Sequence, residues 1–289
     1  MLKRLLTFIV VFLFASPACA QECFPGPCNV ENLGGAACGG GLCQGLPLAI
    51  ATNRASFLYW NDFLDYTDFA TGTFASNIRA WTIDDIGTSD TATATLIGTG
   101  PFGELQLDPG ASVAEGIQVI HNGNAPETVA PTFINIVDGQ TFAWEARIKI
   151  SNSSTLDFMF GLIPEDVTAF SAGGANTVTD GLYCIMADGG LVTCTGERGD
   201  NEVDSTATIQ LFSAYKRIGM RCVAIDISDK TDAGSCDVYV DGVIVDTLVD
   251  NTEGAIPNTG LLPMFAVVND DLNTTGTVTV DYIWVSATR

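Results

Sequence analysis

The chain has 289 residues, 47% of them hydrophobic and only 16% charged, with 34 acidic against 12 basic residues for a formal net charge of −22. A phosphate-binding surface needs clustered Lys and Arg, so this balance excludes a nucleic-acid binder. A single His excludes a His-rich metal site, and low charge with 30 Gly and many Thr and Val excludes a coiled coil or a disordered chain.

Lys3 and Arg4 give a basic start, Leu5 to Ala15 is apolar apart from Thr7, and Ala18-Cys19-Ala20 forms a small-x-small pattern before Gln21. Residues 1–20 therefore read as a secretory signal peptide. The run is short for a bilayer span. A retained anchor and a lipoprotein lipidated on Cys19 are the competing readings, the latter against a poor lipobox at Ser16-Pro17-Ala18. The expected localisation is export: secreted, periplasmic or surface-bound, with carriage on a virion as another route. No other apolar run is long enough to span a membrane, so no integral insertion is expected once the signal is cleaved.

Cleavage leaves eight Cys, an even number. Cys23, Cys28, Cys38 and Cys43 follow the pattern C-x4-C-x9-C-x4-C inside a Gly- and Pro-rich stretch, so residues 21–54 read as a disulfide-stapled segment without core-forming periodicity. A four-Cys zinc site tolerates these spacings but suits the wrong compartment. Four Cys allow three pairings, and the sequence does not choose among them.

From residue 55 to Arg289 the texture becomes short alternating strands with Gly, Asn and Asp turns, and the domain reads as all-β. Thr141 to Ile150 puts Phe142, Trp144, Ala146, Ile148 and Ile150 on one face and Glu145, Arg147 and Lys149 on the other. Asp157 to Leu162 aligns Phe158, Phe160 and Leu162. Asp241-Gly242 between β-branched runs predicts a type I′ hairpin. Thr277 to Val285 predicts a closing strand with Val278, Val280, Tyr282 and Trp284 on one side. So many strands must bury two sheet faces against each other, as an antiparallel β-sandwich or jelly roll does. Folding at Ala187-Asp188-Gly189-Gly190 brings Cys184 opposite Cys194, and folding at Ser228 to Gly234 brings Cys222 opposite Cys236, within reach of two cross-strand disulfides.

The runs Trp60-Asn-Asp-Phe63, Phe142-Ala-Trp-Glu-Ala-Arg-Ile-Lys149, Phe158-Met-Phe-Gly-Leu162, Val238-Tyr-Val-Asp-Gly-Val243 and Val278-Thr-Val-Asp-Tyr-Ile-Trp-Val285 resemble concanavalin A-like lectin/glucanase (LamG-like jelly-roll) domains. In texture they are similar to the single-domain version found among tailed-phage structural and capsid-associated proteins. The resemblance covers residues 57 to 289 and specifies strands rather than a chemical site. It implies a two-sheet jelly roll that binds carbohydrate or decorates a surface. The signal peptide and eight mature Cys depart from an intracellularly assembled capsid protein.

Laminarinase-like hydrolases of this fold carry their carboxylates as Glu-x-Asp-x-x-Glu on one strand, where alternate residues share a face, and their catalysis needs two carboxylates about 5 Å apart. No such motif is present: Asp157 and Glu165 are eight apart with Pro164 between them. A non-enzymatic domain is therefore expected. Glu145, Arg147 and Lys149 form a candidate sugar-contact strip, and equally a solvated face carrying a cross-strand ion pair. Trp81, with Tyr59, Trp60 and Tyr66, is a candidate for stacking on a sugar ring, whereas Trp144 and Trp284 read as core. No cofactor is required. Calcium is the one ion that composition favours, with oxygen ligands at Asn269, Asp270, Asp271 and Asn273 or at Asp200, Asn201, Glu202 and Asp204; turn residues alone would look the same. His121, in Ile120-His-Asn-Gly-Asn124, reads as a surface-loop residue, and Lys216, Arg217 and Arg221 as a small basic group. The leading expectation is an exported glycan-binding or surface-decoration module. A purely structural virion or cell-surface protein is the alternative, and a divergent glycoside hydrolase or lyase the third reading. The expected partner is a glycan, neutral rather than sulfated given the acidic charge, or a surface or virion protein.

Overall fold

A computed structural model describes residues 55–61, 81–87, 91–97, 103–121, 134–151, 156–164, 169–170, 175–187, 190–199, 201–210, 213–228, 234–249, 256–269 and 276–288. The signal peptide, the segment 21–54 with Cys23, Cys28, Cys38 and Cys43, Tyr66, Asp200 and the stretch Asp270 to Asn273 lie outside the described residues, as do the side chains of Tyr59 and Trp60.

Every described regular element is a strand. In chain order these are β1 (Ala55–Asn61), β2 (Trp81–Ile86), β3 (Thr93–Ile97), β4 (Glu104–Asp108), β5 (Gly116–His121) and β6 (Ile134–Asn135). Then follow β7 (Thr141–Ile150), β8 (Leu156–Ile163), β9 (Asp180–Ala187), β10 (Leu191–Arg198), β11 (Asn201–Asp204) and β12 (Ile209–Gln210). The last are β13 (Lys216–Ala224), β14 (Gly234–Val240), β15 (Val243–Val249), β16 (Gly260–Asn269) and β17 (Val278–Thr288). Sheet I has the order β15-β14-β13-β7-β17-β4-β3, with β1 also on β17; sheet II has the order β11-β10-β9-β8-β16-β5-β2, with β12 on β10 and β6 on β16. All pairings between these strands are antiparallel, so the chain is the expected two-sheet antiparallel β-sandwich.

The period-2 pattern of each strand dictates what lies between the sheets. Phe142, Trp144, Ala146, Ile148 and Ile150 of β7 face Phe158, Phe160 and Leu162 of β8 in one inter-sheet core. Trp144 meets Phe160 edge-on at 5.9 Å, and Phe158 stacks on Phe160 at 5.0 Å. Both cross-strand disulfides are formed as expected, Cys184–Cys194 within sheet II and Cys222–Cys236 within sheet I. The β14–β15 turn has positive φ at both Asp241 (51°) and Gly242 (83°), the signature of the expected type I′ hairpin.

A second apolar cluster covers the outer face of sheet II. Met159, Ile163, Tyr183, Leu262, Met264, Ala266 and Val268 are buried there under Ala169, Phe170 and Val178. This explains why every residue of β8 is buried: it has core on both sides.

Three expectations are corrected. Trp81 is no loop residue open to a sugar: it begins β2, is 3% exposed and packs in the inter-sheet core against Phe265. His121 is no surface residue either. It closes β5 opposite Trp81, is 3% exposed and meets the Trp81 ring edge-on at 5.2 Å. Finally, β17 does not keep one parity. Its register against β7 shifts between Val280 and Tyr282, a bulge at Asp281. Val278 and Val280 face the core, but beyond the bulge Ile283, Val285 and Ala287 do. Tyr282 and Trp284 are thereby turned to the outer face; Trp284 is buried as expected, but on the other side of the sheet.

Gly219 shows how tightly β13 and β7 approach. It lies opposite Glu145, and a Cβ there would sit 2.1 Å from the Trp144 carbonyl oxygen. Gly219→Ala is expected to destabilise the fold by about 3 kcal/mol through overpacking, read as a lowered urea midpoint with an unchanged slope.

Candidate functional site

Two polar surfaces arise, one on each outer face. On sheet I, alternation along β7 puts Glu145, Arg147 and Lys149 on one face, as the sequence predicts, and the β17 bulge brings Tyr282 and Trp284 alongside. Glu145 is not solvated: it is 4% exposed. Its Oε1 accepts a hydrogen bond from the Tyr282 hydroxyl at 2.8 Å and one from Trp284 Nε1 at 3.3 Å. Burial pushes its carboxyl above the ordinary range, against the pull of those two donors and of Arg217. Arg147 pairs with Asp281, and Lys149 lies 3.4 Å from Glu104. Both cations sit over the Tyr215 ring, at 4.2 and 4.4 Å from its centroid. The charges of the strip are thus answered within the chain, and they brace β7 against β17 and β4.

The second surface lies on the outer face of sheet II, where β9, β10 and β11 run side by side. Register fixes its membership: Tyr183 is opposite Thr195 and Thr195 opposite Asp204, while Gly181 is opposite Glu197 and Glu197 opposite Glu202. The Tyr183 ring reaches across Gly181, where an added Cβ would meet the ring carbon Cδ1 at 3.0 Å. Its hydroxyl donates to Glu197 Oε2 at 2.5 Å and accepts from Asn176 Nδ2 at 2.6 Å. Asn176 is held in turn by an Asx turn, its Oδ1 taking the Val178 N–H at 2.9 Å. Thr195 Oγ1 donates to Asp204 Oδ1 at 2.6 Å. Glu197 is buried, whereas Asn176, Glu202 and Asp204 are exposed.

Electrostatics follow from this crowding. Burial raises the Tyr183 phenol far above its usual value, and the Glu197 carboxylate adds to the effect. Glu202 is pushed up to about 7, first by burial, then by Asp204 and by Glu197. Two carboxyl side chains directly opposite on adjacent strands repel unless one holds a proton or a ligand intervenes.

The sequence reached Glu202 and Asp204 only as part of a calcium loop. That loop is a strand, so Asn201 and Val203 point away from the face that Glu202 and Asp204 share. Asn269 is fully buried, and its Nδ2 donates to the carbonyls of Gly110 and Ser112 at 3.2 and 3.4 Å, bracing the turn before β5. Among the described residues no three Asp, Glu, His or Cys side chains lie close enough to hold a metal ion. Tyr183, Asn176 and Glu197 were not anticipated. One signal was present: Gly199 interrupts the run between Glu197 and Glu202, and the pairing of Arg198 with Asn201 sets those two carboxylates across from each other. Of the two carboxylates weighed for catalysis, Asp157 is buried opposite Val268 on the same sheet face, and Glu165 lies outside the described residues.

No protein-family model matches the chain, and no curated protein matches it in sequence. Among solved structures, it is similar to the binding domain of botulinum neurotoxin DC in complex with rat synaptotagmin II, at 11% identity and a TM-score of 0.42, covering 77% of this chain and 48% of that one. The chain thus spans about half the length of that neurotoxin chain. It is similar to the metal-free carbohydrate recognition domain of Emp46p, at 12% identity and a TM-score of 0.45, covering 78% of this chain and 97% of that one. It is also similar to a structure described under endo-acting O-glycanases of the human gut microbiota, at 11% identity and a TM-score of 0.49, covering 81% and 99%.

Proposed function

We propose that the chain is an exported, non-enzymatic carbohydrate-binding sandwich that contacts a glycan through exposed Asn176, Glu202 and Asp204, with buried Tyr183 and Glu197 bracing them from beneath. The observation that carries this reading is the hydrogen-bonded row Asn176–Tyr183–Glu197 beside exposed Glu202 and Asp204. Sugar hydroxyls both donate and accept, and fixed amide and carboxylate groups on a rigid sheet can meet them in one orientation. A neutral glycan suits a face of carboxylates better than a sulfated one. Export is supported by the two disulfides, which persist in oxidising compartments.

One observation favours a second reading. Glu202 is pushed up to about 7 opposite Glu197, so it can hold a proton near neutrality, as the acid of a glycoside hydrolase must. The oxidised mature protein should be placed on a glycan array, with and without a calcium chelator, together with Glu197→Gln and Glu202→Gln. Binding weakened roughly tenfold by either substitution, with no reducing ends released from the bound glycan, is the expected result. Sugar release by the native protein that Glu202→Gln abolishes makes it a hydrolase. Binding lost on chelation returns weight to the Asp270–Asn273 stretch. No binding to any glycan leaves the structural role.

A further inference from the structure

Register singles out one segment on which the face of Glu202 and Asp204 depends. The ladder between β10 and β11 ends at the pair Thr195–Asp204, and β12 resumes it at Val192–Ile209. Ser205, Thr206, Ala207 and Thr208 therefore span only Cys194 and Thr193 of β10, and the surplus must leave the ladder. Its first residue stays with β10: Ser205 N donates to the Cys194 carbonyl at 2.7 Å, and Ser205 Oγ accepts from Cys194 N at 2.9 Å. The next two are held from the other sheet. β15 and β11, each at the end of its sheet's strand order, meet along one side of the sandwich. Asp246 of β15 lies opposite Val238, whose side chain faces the inter-sheet core, so its carboxylate points toward sheet II. Its Oδ2 accepts from Thr206 N, Thr206 Oγ1 and Ala207 N at 2.5, 2.9 and 3.0 Å, and its Oδ1 accepts from Thr247 N at 2.8 Å. Hydrogen bonds to an ionised acceptor are roughly twice as strong as neutral ones.

We propose that Asp246 is a positioning residue for the glycan face, holding Glu202 and Asp204 in place from the opposite sheet. The inference rests on the glycan reading above. Glu202 and Asp204 are exposed on a strand of four residues that, among the described strands, pairs with β10 alone. A short edge strand with a surplus segment at its end opens locally at little cost. Opening would scatter the two carboxylates, and a ligand would have to reorder them as it binds. Thr206 follows Asp204 by two residues, so the Asp246 clamp sits where that opening would begin. Asp246 belongs to the other sheet and acts only through the strand it holds.

The glycan array is repeated on the oxidised mature protein with Asp246→Ala, Asp246→Asn and, as a control on the same strand, Thr247→Ala, which removes the hydrogen bond from Thr247 Oγ1 to Asp237 Oδ1 at 2.9 Å. Hydrogen exchange of each protein without glycan is read in parallel, because a general loss of stability would quicken exchange in every strand. Asp246→Ala is expected to weaken the native array signals roughly tenfold and to quicken exchange by a similar factor over residues 201–207 alone. Asp246→Asn keeps an acceptor oxygen for Thr206 and Ala207 and should recover most of both; Thr247→Ala should change neither. Native binding that Asp246→Ala leaves intact overturns the proposal, as does exchange that is unchanged or that quickens equally in all strands. A native protein that binds nothing on the array is a different failure: it removes the glycan reading itself, and this inference with it.

Discussion

Acidification from neutrality to pH 4 should cost the sandwich about 3 kcal/mol through His121 alone, and His121→Phe should remove that component. Burial beneath Trp81 lowers the imidazole from 6.5 to about 4. A lowered base binds its proton in the unfolded chain first. Between pH 6.5 and about 4 the unfolded state therefore gains protons that the folded state refuses, and stability falls as pH falls. Glu202 and Glu145 act in the opposite sense. Their raised carboxyls give stability that is present below the ordinary carboxylate value and fades as pH rises through their folded values, about 7 for Glu202. The native profile sums these trends, so the informative quantity is the difference between native protein and His121→Phe in urea midpoint at each pH. A difference that is flat from pH 4 to neutrality would show that His121 is not held neutral by burial.

Removing a disulfide should cost about as much. Cys184–Cys194 and Cys222–Cys236 close chain segments separated by 10 and 14 positions, and loops of that size stabilise by about 3 kcal/mol each in the chain-entropy account. They lie in different sheets, so their losses should add when Cys184→Ala/Cys194→Ala is combined with Cys222→Ala/Cys236→Ala. All four sulfurs belong to the inter-sheet core and are at most 1% exposed. A reductant should therefore leave the native protein oxidised and act only when denaturant opens the sandwich. Thiol titration against urea, with and without reductant, reads both effects; thiols appearing well below the unfolding midpoint would contradict the burial.

What the residues revealed in advance, they revealed through local rules. The Phe142-to-Ile150 alternation, the Asp241-Gly242 turn and the two hairpin disulfides each depend on neighbours in sequence or on one short loop. What they hid depends on contacts with no local trace. One unpaired residue, Asp281, reverses the parity of β17 and moves Trp284 from the face that alternation assigns it. The second cluster on sheet II needs Phe170 and Val178 to fold over strands distant in sequence. The Glu145 strip was legible as a shared face, yet its partners Glu104, Asp281 and Tyr215 come from three other parts of the chain. Tyr183 meets Glu197 only because Gly181 leaves room for the ring between them.

The pairing of the outermost strands in sequence sets how the domain bears load. Ala55 of β1 lies against Thr288 of β17, and the strands then run antiparallel to Asn61 against Ile283. Tension applied between residues 55 and 288 would pull at one end of that ladder and break its hydrogen bonds one after another, like a zipper. Shear, in which all bonds resist together, is not available to this pair. A molecule held from one side only carries no force across the ladder. Anchored from both sides, the same domain would open at β1 first, extending under modest force before its core is disturbed.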